Sequence, residues 1–140
     1  MPVNSIIEHV TNADYDLALD CYYIASRYVG DAEGILYSIE PHVNVHGRPL
    51  FVSRKNGYIN GFLRGQIMAD GQTLRIQDLY VDGRARKCGV GKKLMAAQME
   101  YATARGVQKI VVQSSATAIK FYERCGFTKI AANNTMTKSL

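Results

Sequence analysis

Leu79-Tyr80-Val81-Asp82-Gly83-Arg84-Ala85-Arg86-Lys87-Cys88-Gly89-Val90-Gly91-Lys92-Lys93-Leu94 joins an apolar strand, a basic glycine loop and an apolar-periodic helix without a gap. That order builds an anion site. The first N–H groups of a helix have no intrahelical partner and together carry about half a positive charge. Glycines let an anion approach such a main chain closely, and Arg86, Lys87, Lys92 and Lys93 add formal charge. A Walker loop would need a glycine where Arg86 stands, and a dinucleotide fingerprint would need a third glycine where Leu94 stands. What remains is R-x-x-G-x-G behind an apolar strand.

Working outward, Ser5 to Val10 reads as a first strand, and Thr11-Asn12-Ala13-Asp14 as a capped helix start. Leu17, Cys21, Ile24 and Tyr28 follow at helical spacing, which predicts an amphipathic helix ending near Gly30. A second helix is expected from about Ala32 to Ile39, stopped by Pro41, with the stretch from His42 to Gly47 as loop. Leu50 to Ser53, Tyr58 to Leu63 and Leu74 to Val81 read as three successive strands, turned at Asn56-Gly57 and Asp70-Gly71. Val90, Leu94, Ala97 and Tyr101 lay one apolar stripe along a helix that ends near Gly106, before a strand from Lys109 to Gln113. Strand, helix and strand in that order make a right-handed parallel crossover. A short helix from Ser115 to Arg124 and two terminal strands complete an expected mixed sheet of about seven strands.

The loop and two further segments together resemble the GNAT superfamily of N-acetyltransferases. R-x-x-G-x-G is similar to that family's motif A, and Gln77-Asp78-Leu79-Tyr80-Val81 resembles its fourth strand. Ser115-Ala116-Thr117-Ala118-Ile119-Lys120-Phe121-Tyr122-Glu123-Arg124-Cys125-Gly126-Phe127 looks like motif B. The resemblance implies an α/β (α+β) GNAT fold: a mostly antiparallel mixed sheet with a splayed central strand pair, flanked by about four helices, as one domain over residues 1–140. It implies acetyl-CoA as cosubstrate and direct transfer of the acetyl group to a primary amine. Leu79, Tyr80 and Val81 would pair with the pantetheine arm through their backbone. Arg86, Lys87, Cys88, Gly89, Val90, Gly91 and Lys92 would hold the pyrophosphate.

Two departures from the family pattern matter. Many members carry Asn where this chain has Ser115, which can still cap the motif B helix and offer a hydroxyl to the cofactor. Several members carry Glu where this chain has Gln77, whose amide cannot accept a proton. A lysine-like amine has a pKa of about 10.4, so deprotonating it at neutral pH costs about 4 to 5 kcal/mol without help. Asp78, the carboxylate nearest to where the resemblance puts the thioester, is the candidate base or amine anchor; the alternatives are a water path to another group or an amine that arrives neutral. Tyr122 matches the family tyrosine that protonates the leaving thiolate, although Ala118, Phe121, Tyr122 and Cys125 also form a helical stripe that would bury it as an ordinary core residue.

Composition bounds the remaining classes. The 140 residues, 47% of them hydrophobic, can bury a core, and no apolar run is long enough for a membrane span. The N-terminus lacks the pattern of a signal peptide, so a cytoplasmic protein is expected. Cys21, Cys88 and Cys125 have neither disulfide nor zinc spacing. His9, His42 and His46 lack a common helix face and a third ligand, so no metal is expected, and His42 or His46 could instead line an acceptor pocket. A net charge of +5 could mark a nucleic-acid binder. Its basic residues, however, concentrate at Arg84, Arg86, Lys87, Lys92, Lys93 and Arg105, where a CoA phosphate site would use most of them. The expected partner is a small-molecule amine rather than a protein, with a protein lysine or N-terminus as the alternative. A CoA-binding protein without turnover is a second alternative, and a homodimer through paired terminal strands is left open.

Overall fold

The computed structural model describes residues 5–86 and 88–140. Its sheet orders seven strands, among the described residues, as β1-β2-β3-β4-β5-β7-β6. They are β1 (Ile6–His9), β2 (Leu50–Lys55), β3 (Tyr58–Ile67), β4 (Thr73–Val81), β5 (Lys109–Gln113), β6 (Thr128–Lys129) and β7 (Thr135–Ser139). Every pairing is antiparallel except β4 with β5. Four helices flank it: α1 (Tyr15–Ala25), α2 (Glu33–Val43), α3 (Val90–Ala104) and α4 (Ile119–Arg124). No described helix is long and apolar enough to cross a membrane.

Local chemistry explains most boundaries. Asp14 caps α1 by accepting the Leu17 N–H at 2.9 Å. Asn56 and Gly57 both take left-handed backbone (φ 53° and 82°), the turn that matches the twist of the β2–β3 hairpin. Asp70 holds the β3–β4 turn by accepting the N–H groups of Gln72 and Thr73, and these bonds keep its carboxyl below the usual carboxylate range.

Two helix ends differ from the sequence expectation. α1 stops at Ala25 rather than near Gly30, so Tyr28 lies in a turn beyond the helix. α2 continues through Pro41 to Val43, which puts His42 on a helix instead of in a loop. Proline removes one helical hydrogen bond, to the carbonyl of Tyr37, at a cost of about 3 kcal/mol. Tyr37 is 74% exposed, so water can serve that carbonyl, while Ile35, Ile39 and His42 are buried on the helix's inner side.

The sheet separates two cores. α1 and α2 bury Leu17, Cys21, Ile24, Ile35 and Ile39 against Leu50, Val52, Ile59 and Phe62. On the other face α3 and α4 pack Val90, Leu94, Met95 and Tyr122 against Phe51, Leu63, Leu74, Ile76, Ile110 and Val112. β7 lies inside the sheet between β5 and β6, so the sheet's edges are β1 and β6.

His42 is 3% exposed, with Nε2 3.3 Å from the Pro49 carbonyl oxygen. Burial, reinforced by Arg64 and Arg48, lowers its pKa to about 4. Below the unfolded value of about 6.5 the unfolded chain takes up a proton that folded His42 refuses. Stability is therefore expected to fall as pH drops from about 6.5 to about 4, by at most about 3 kcal/mol. Urea unfolding of wild type and His42→Gln across that range measures it; equal pH slopes for the two proteins would show that His42 is not the source.

Candidate active site

β4 and β5 pair at three positions, Thr73 with Lys109, Leu74 with Ile110 and Arg75 with Val111, and then separate. Beyond Arg75, β4 has β3 on one side and a gap on the other. Asp82 N–H bonds Asn60 O at 2.8 Å, and Gly65 N–H bonds Pro49 O at 3.0 Å on the opposite flank of β3. Alternation then assigns the main-chain groups of Asp78, Tyr80 and Asp82 to β3, and turns those of Leu79 and Val81 toward the gap. Two of the three residues that the family resemblance nominated for backbone pairing thus present N–H and C=O groups where β5 has left; Tyr80 spends its own on β3.

The gap is edged by a bulge. The register with β3 jumps from Arg64↔Asp78 to Gly65↔Ile76, leaving Gln77 as the extra residue. A bulge shifts the alternation of faces. Leu74, Ile76, Leu79 and Val81 accordingly all pack toward α3, while Gln77 and Asp78 both meet β3 residues of the α1/α2 face, Gln66 and Arg64. Gln77 Nε2 donates to Gln66 Oε1 at 2.8 Å. Arg64 donates from Nε to Asp78 Oδ2 at 2.7 Å and from Nη1 to Ser38 Oγ at 2.6 Å, and Nη2 also contacts the carboxylate. Tyr80 joins the same face against Phe62, its hydroxyl pKa raised by burial and then by the Asp78 charge.

Tyr122 belongs to the other face. It is 6% exposed, packed edge-on to Phe121 and Phe127 at centroid distances of 5.3 and 5.5 Å. Its hydroxyl makes none of the side-chain hydrogen bonds among the described residues. Burial pushes its pKa well above the ordinary tyrosine range, with Cys125, Tyr80 and Asp78 adding to the effect. The phenol therefore keeps its proton at neutral pH.

At the end of β4, the Asp82 carboxylate accepts the Arg84 N–H at 3.0 Å and starts a single 3-10 turn, Gly83–Ala85. Gly89 then takes left-handed backbone, φ 78°, as N-cap of α3, with no side-chain cap. Lys93 is the first to bond back, to Gly89 O at 3.0 Å, so the N–H groups of the first turn stay available for an anion. Gly91 has a packing reason beside the one its motif suggested. A Cβ there would lie 2.9 Å from the Phe121 ring, so this glycine lets α4 close onto the start of α3. Cys88 and Lys92 are exposed, Val90 puts its side chain in the core, and Lys87 lies outside the described residues.

Ser115 does not cap α4. The helix begins at Ile119 with Ala118 as N-cap, and Ser115 Oγ lies 3.3 Å from Thr117 Oγ1. A turn intervenes because the Ser115 carbonyl accepts the Ala118 N–H at 3.1 Å before the helix starts. Arg86 is also placed unexpectedly, its guanidinium 4.5 Å from the centre of the Tyr28 ring. Arg64, Ser38 and Tyr28 were not singled out as site residues from sequence, because each belongs to an element whose register with β4 appears only in three dimensions. No group of three potential metal ligands comes together among the described residues.

Comparisons with known proteins agree with this geometry. The model of the acetyltransferase (GNAT) family matches residues 13–127. Over 59 residues the chain is 30% identical to glucosamine 6-phosphate N-acetyltransferase 1 of Oryza sativa subsp. japonica. That match covers 42% of this chain and only 36% of the relative. An aminoglycoside 6'-N-acetyltransferase solved with coenzyme A superposes with a TM-score of 0.83 over 96% of both chains, at 16% identity. The ribosomal-protein-S18-alanine N-acetyltransferase of Escherichia coli superposes at 0.75 over 97% of this chain and 94% of that one, at 17% identity. By the family model that spans it and by the splayed strand pair beside an uncapped helix start, the chain belongs to the GNAT acetyltransferase family.

Proposed function

We propose that the chain, acting as one domain in the cytosol, transfers an acetyl group from acetyl-CoA directly to the primary amine of a small molecule. The observation that supports this most is the parting of β4 from β5 after Arg75, which leaves Leu79 and Val81 with main-chain groups facing the gap. An extended amide-bearing arm laid along β4 would satisfy them, and its pyrophosphate would meet the first turn of α3 and Arg86. Acetyl-CoA supplies an activated acyl thioester when bound.

The chain's own residues divide the remaining work. A main-chain N–H of β4 near Val81 polarises the acyl oxygen as it gains charge. The acceptor nitrogen bonds the acyl carbon and the carbon–sulfur bond breaks, with the Tyr122 hydroxyl giving its proton to the departing sulfur. The proton lost by the amine passes to Asp78 or to a water path beside it. Asp78 and Tyr122 belong to opposite faces of the sheet, which suits an acceptor arriving on one side of the thioester and a thiolate leaving on the other.

For the acceptor, the amino-sugar names among the relatives support a small amine, whereas the E. coli neighbour is named for an alanine of ribosomal protein S18. A specific observation favours a second reading. Gln77 spends its amide on Gln66, and Asp78 is held by Arg64, so a CoA-binding protein without turnover has structural support. Isothermal titration with acetyl-CoA, followed by turnover with a panel of amines, separates the two. Arg86→Glu is expected to weaken CoA binding by about 10- to 100-fold, since it replaces attraction to two phosphates by repulsion. Unchanged affinity in that variant would remove the loop from the site.

A further inference from the structure

The Val81 carbonyl is one of the main-chain groups turned toward the gap, yet it has a partner. The Tyr28 hydroxyl donates to it at 2.6 Å. Tyr28 comes from the turn after α1, where its N–H bonds Ala25 O at 2.9 Å, and it reaches 53 residues along the chain to do so. Its ring carries two neighbours: the Arg86 guanidinium 4.5 Å from its centre, and Tyr80, nearly parallel at 15° and 5.9 Å. One side chain therefore touches the gap-facing end of β4, the anion loop and the acceptor-side face together.

Core packing does not account for this arrangement. Tyr28 is 38% exposed and lies outside both buried clusters, so its ring adds little to the stability of either. Its hydroxyl instead occupies an acceptor that an arm along β4 would use. A carbonyl oxygen has two lone pairs, but this one points into the gap, and the arm and the phenol would compete for the same space. Arg86, meanwhile, is spent on an aromatic face, a weak partner for a guanidinium compared with a pyrophosphate.

Resting on the cofactor reading above, we propose that Tyr28 and Arg86 form a latch across the cofactor groove. In the free protein Tyr28 covers the Val81 carbonyl and stores Arg86; an entering pantetheine amide N–H takes the carbonyl, the phosphates take Arg86, and the ring is released toward the α1–α2 turn. Tyr28 is thus a positioning residue that sets the cost of cofactor entry, and it links phosphate binding to the wall of the acceptor side through Tyr80.

The test is calorimetric titration of wild type and Tyr28→Phe with CoA and, separately, with 3′-phosphoadenosine 5′-diphosphate, which has the phosphates but no pantetheine arm. The variant keeps the ring that carries Arg86 and loses only the competing hydroxyl. It should bind CoA about three- to tenfold tighter, the span of one neutral hydrogen bond, with affinity for the nucleotide unchanged within about twofold. CoA affinity equal to or weaker than wild type would overturn the latch, and so would an equal shift for both ligands, which would tie Tyr28 to the phosphates alone. Failure of the wild type to bind CoA is a different result, and it would overturn the cofactor reading itself.

Discussion

Tyr122→Phe is expected to lower kcat for acetyl transfer by about 10²-fold while CoA affinity stays within about twofold, the effect of losing one positioned acid. The split follows from where Tyr122 sits. Its ring is fixed by Phe121, Phe127 and the α3/α4 core, and a phenylalanine fills the same space. Among the described residues its hydroxyl makes no side-chain hydrogen bond, so deleting it leaves no buried partner unsatisfied and melting should be unchanged. Burial holds the hydroxyl protonated, which a donor to a thiolate requires and a nucleophile would not tolerate. Steady-state kinetics beside calorimetry give the answer: kcat within a factor of three of wild type would reduce Tyr122 to the core residue that its helical stripe also describes.

The sheet and its helices were largely legible because their signals are local. The Asn56-Gly57 turn and the 3.6-residue stripe of α3 each decide an element within a few residues, and the loop from Val81 to Val90 announces an anion site by its own composition, whereas the capping box read at Thr11 gives way to a cap at Asp14 itself. What stayed illegible depends on register between distant segments. The bulge at Gln77 reverses the face that each β4 side chain beyond it takes, and nothing in Ile76-Gln77-Asp78 marks it. Arg64 lay beyond the strand expected to end at Leu63; β3 runs on to Ile67, and its pairing sets Arg64 against Asp78. Tyr28 fitted a helical stripe in sequence, and only the early end of α1 freed it to reach Val81. Gly91 shows a motif residue with a second physical reason, a ring packed against it on top of the phosphate contact that the resemblance implies.

Arg64→Ala is expected to cost about 2 to 3 kcal/mol of unfolding free energy, the largest single loss among these sites. Arg64 and Asp78 side chains are each 13% exposed, and the guanidinium holds both the carboxylate and Ser38 of α2. Removing the cation strands a carboxylate beside Tyr80 with little water to replace it, so most of the loss is the penalty of an unpaired charge rather than the worth of the pair. A double variant, Arg64→Met with Asp78→Leu, should therefore recover to within about 1 kcal/mol of wild type, because two apolar chains need no partner. Urea unfolding of Arg64→Met, Asp78→Leu and the double variant isolates the coupling, and a double loss equal to the sum of the two single losses would show that the pair contributes nothing beyond its packing. The restored double variant also separates stability from function. A cationic amine entering from the α1/α2 face would share the Asp78 carboxylate with Arg64, so its KM should rise sharply in a protein that is folded and still binds CoA. An unchanged KM there would leave Asp78 no part in holding the acceptor and would pass the proton to water.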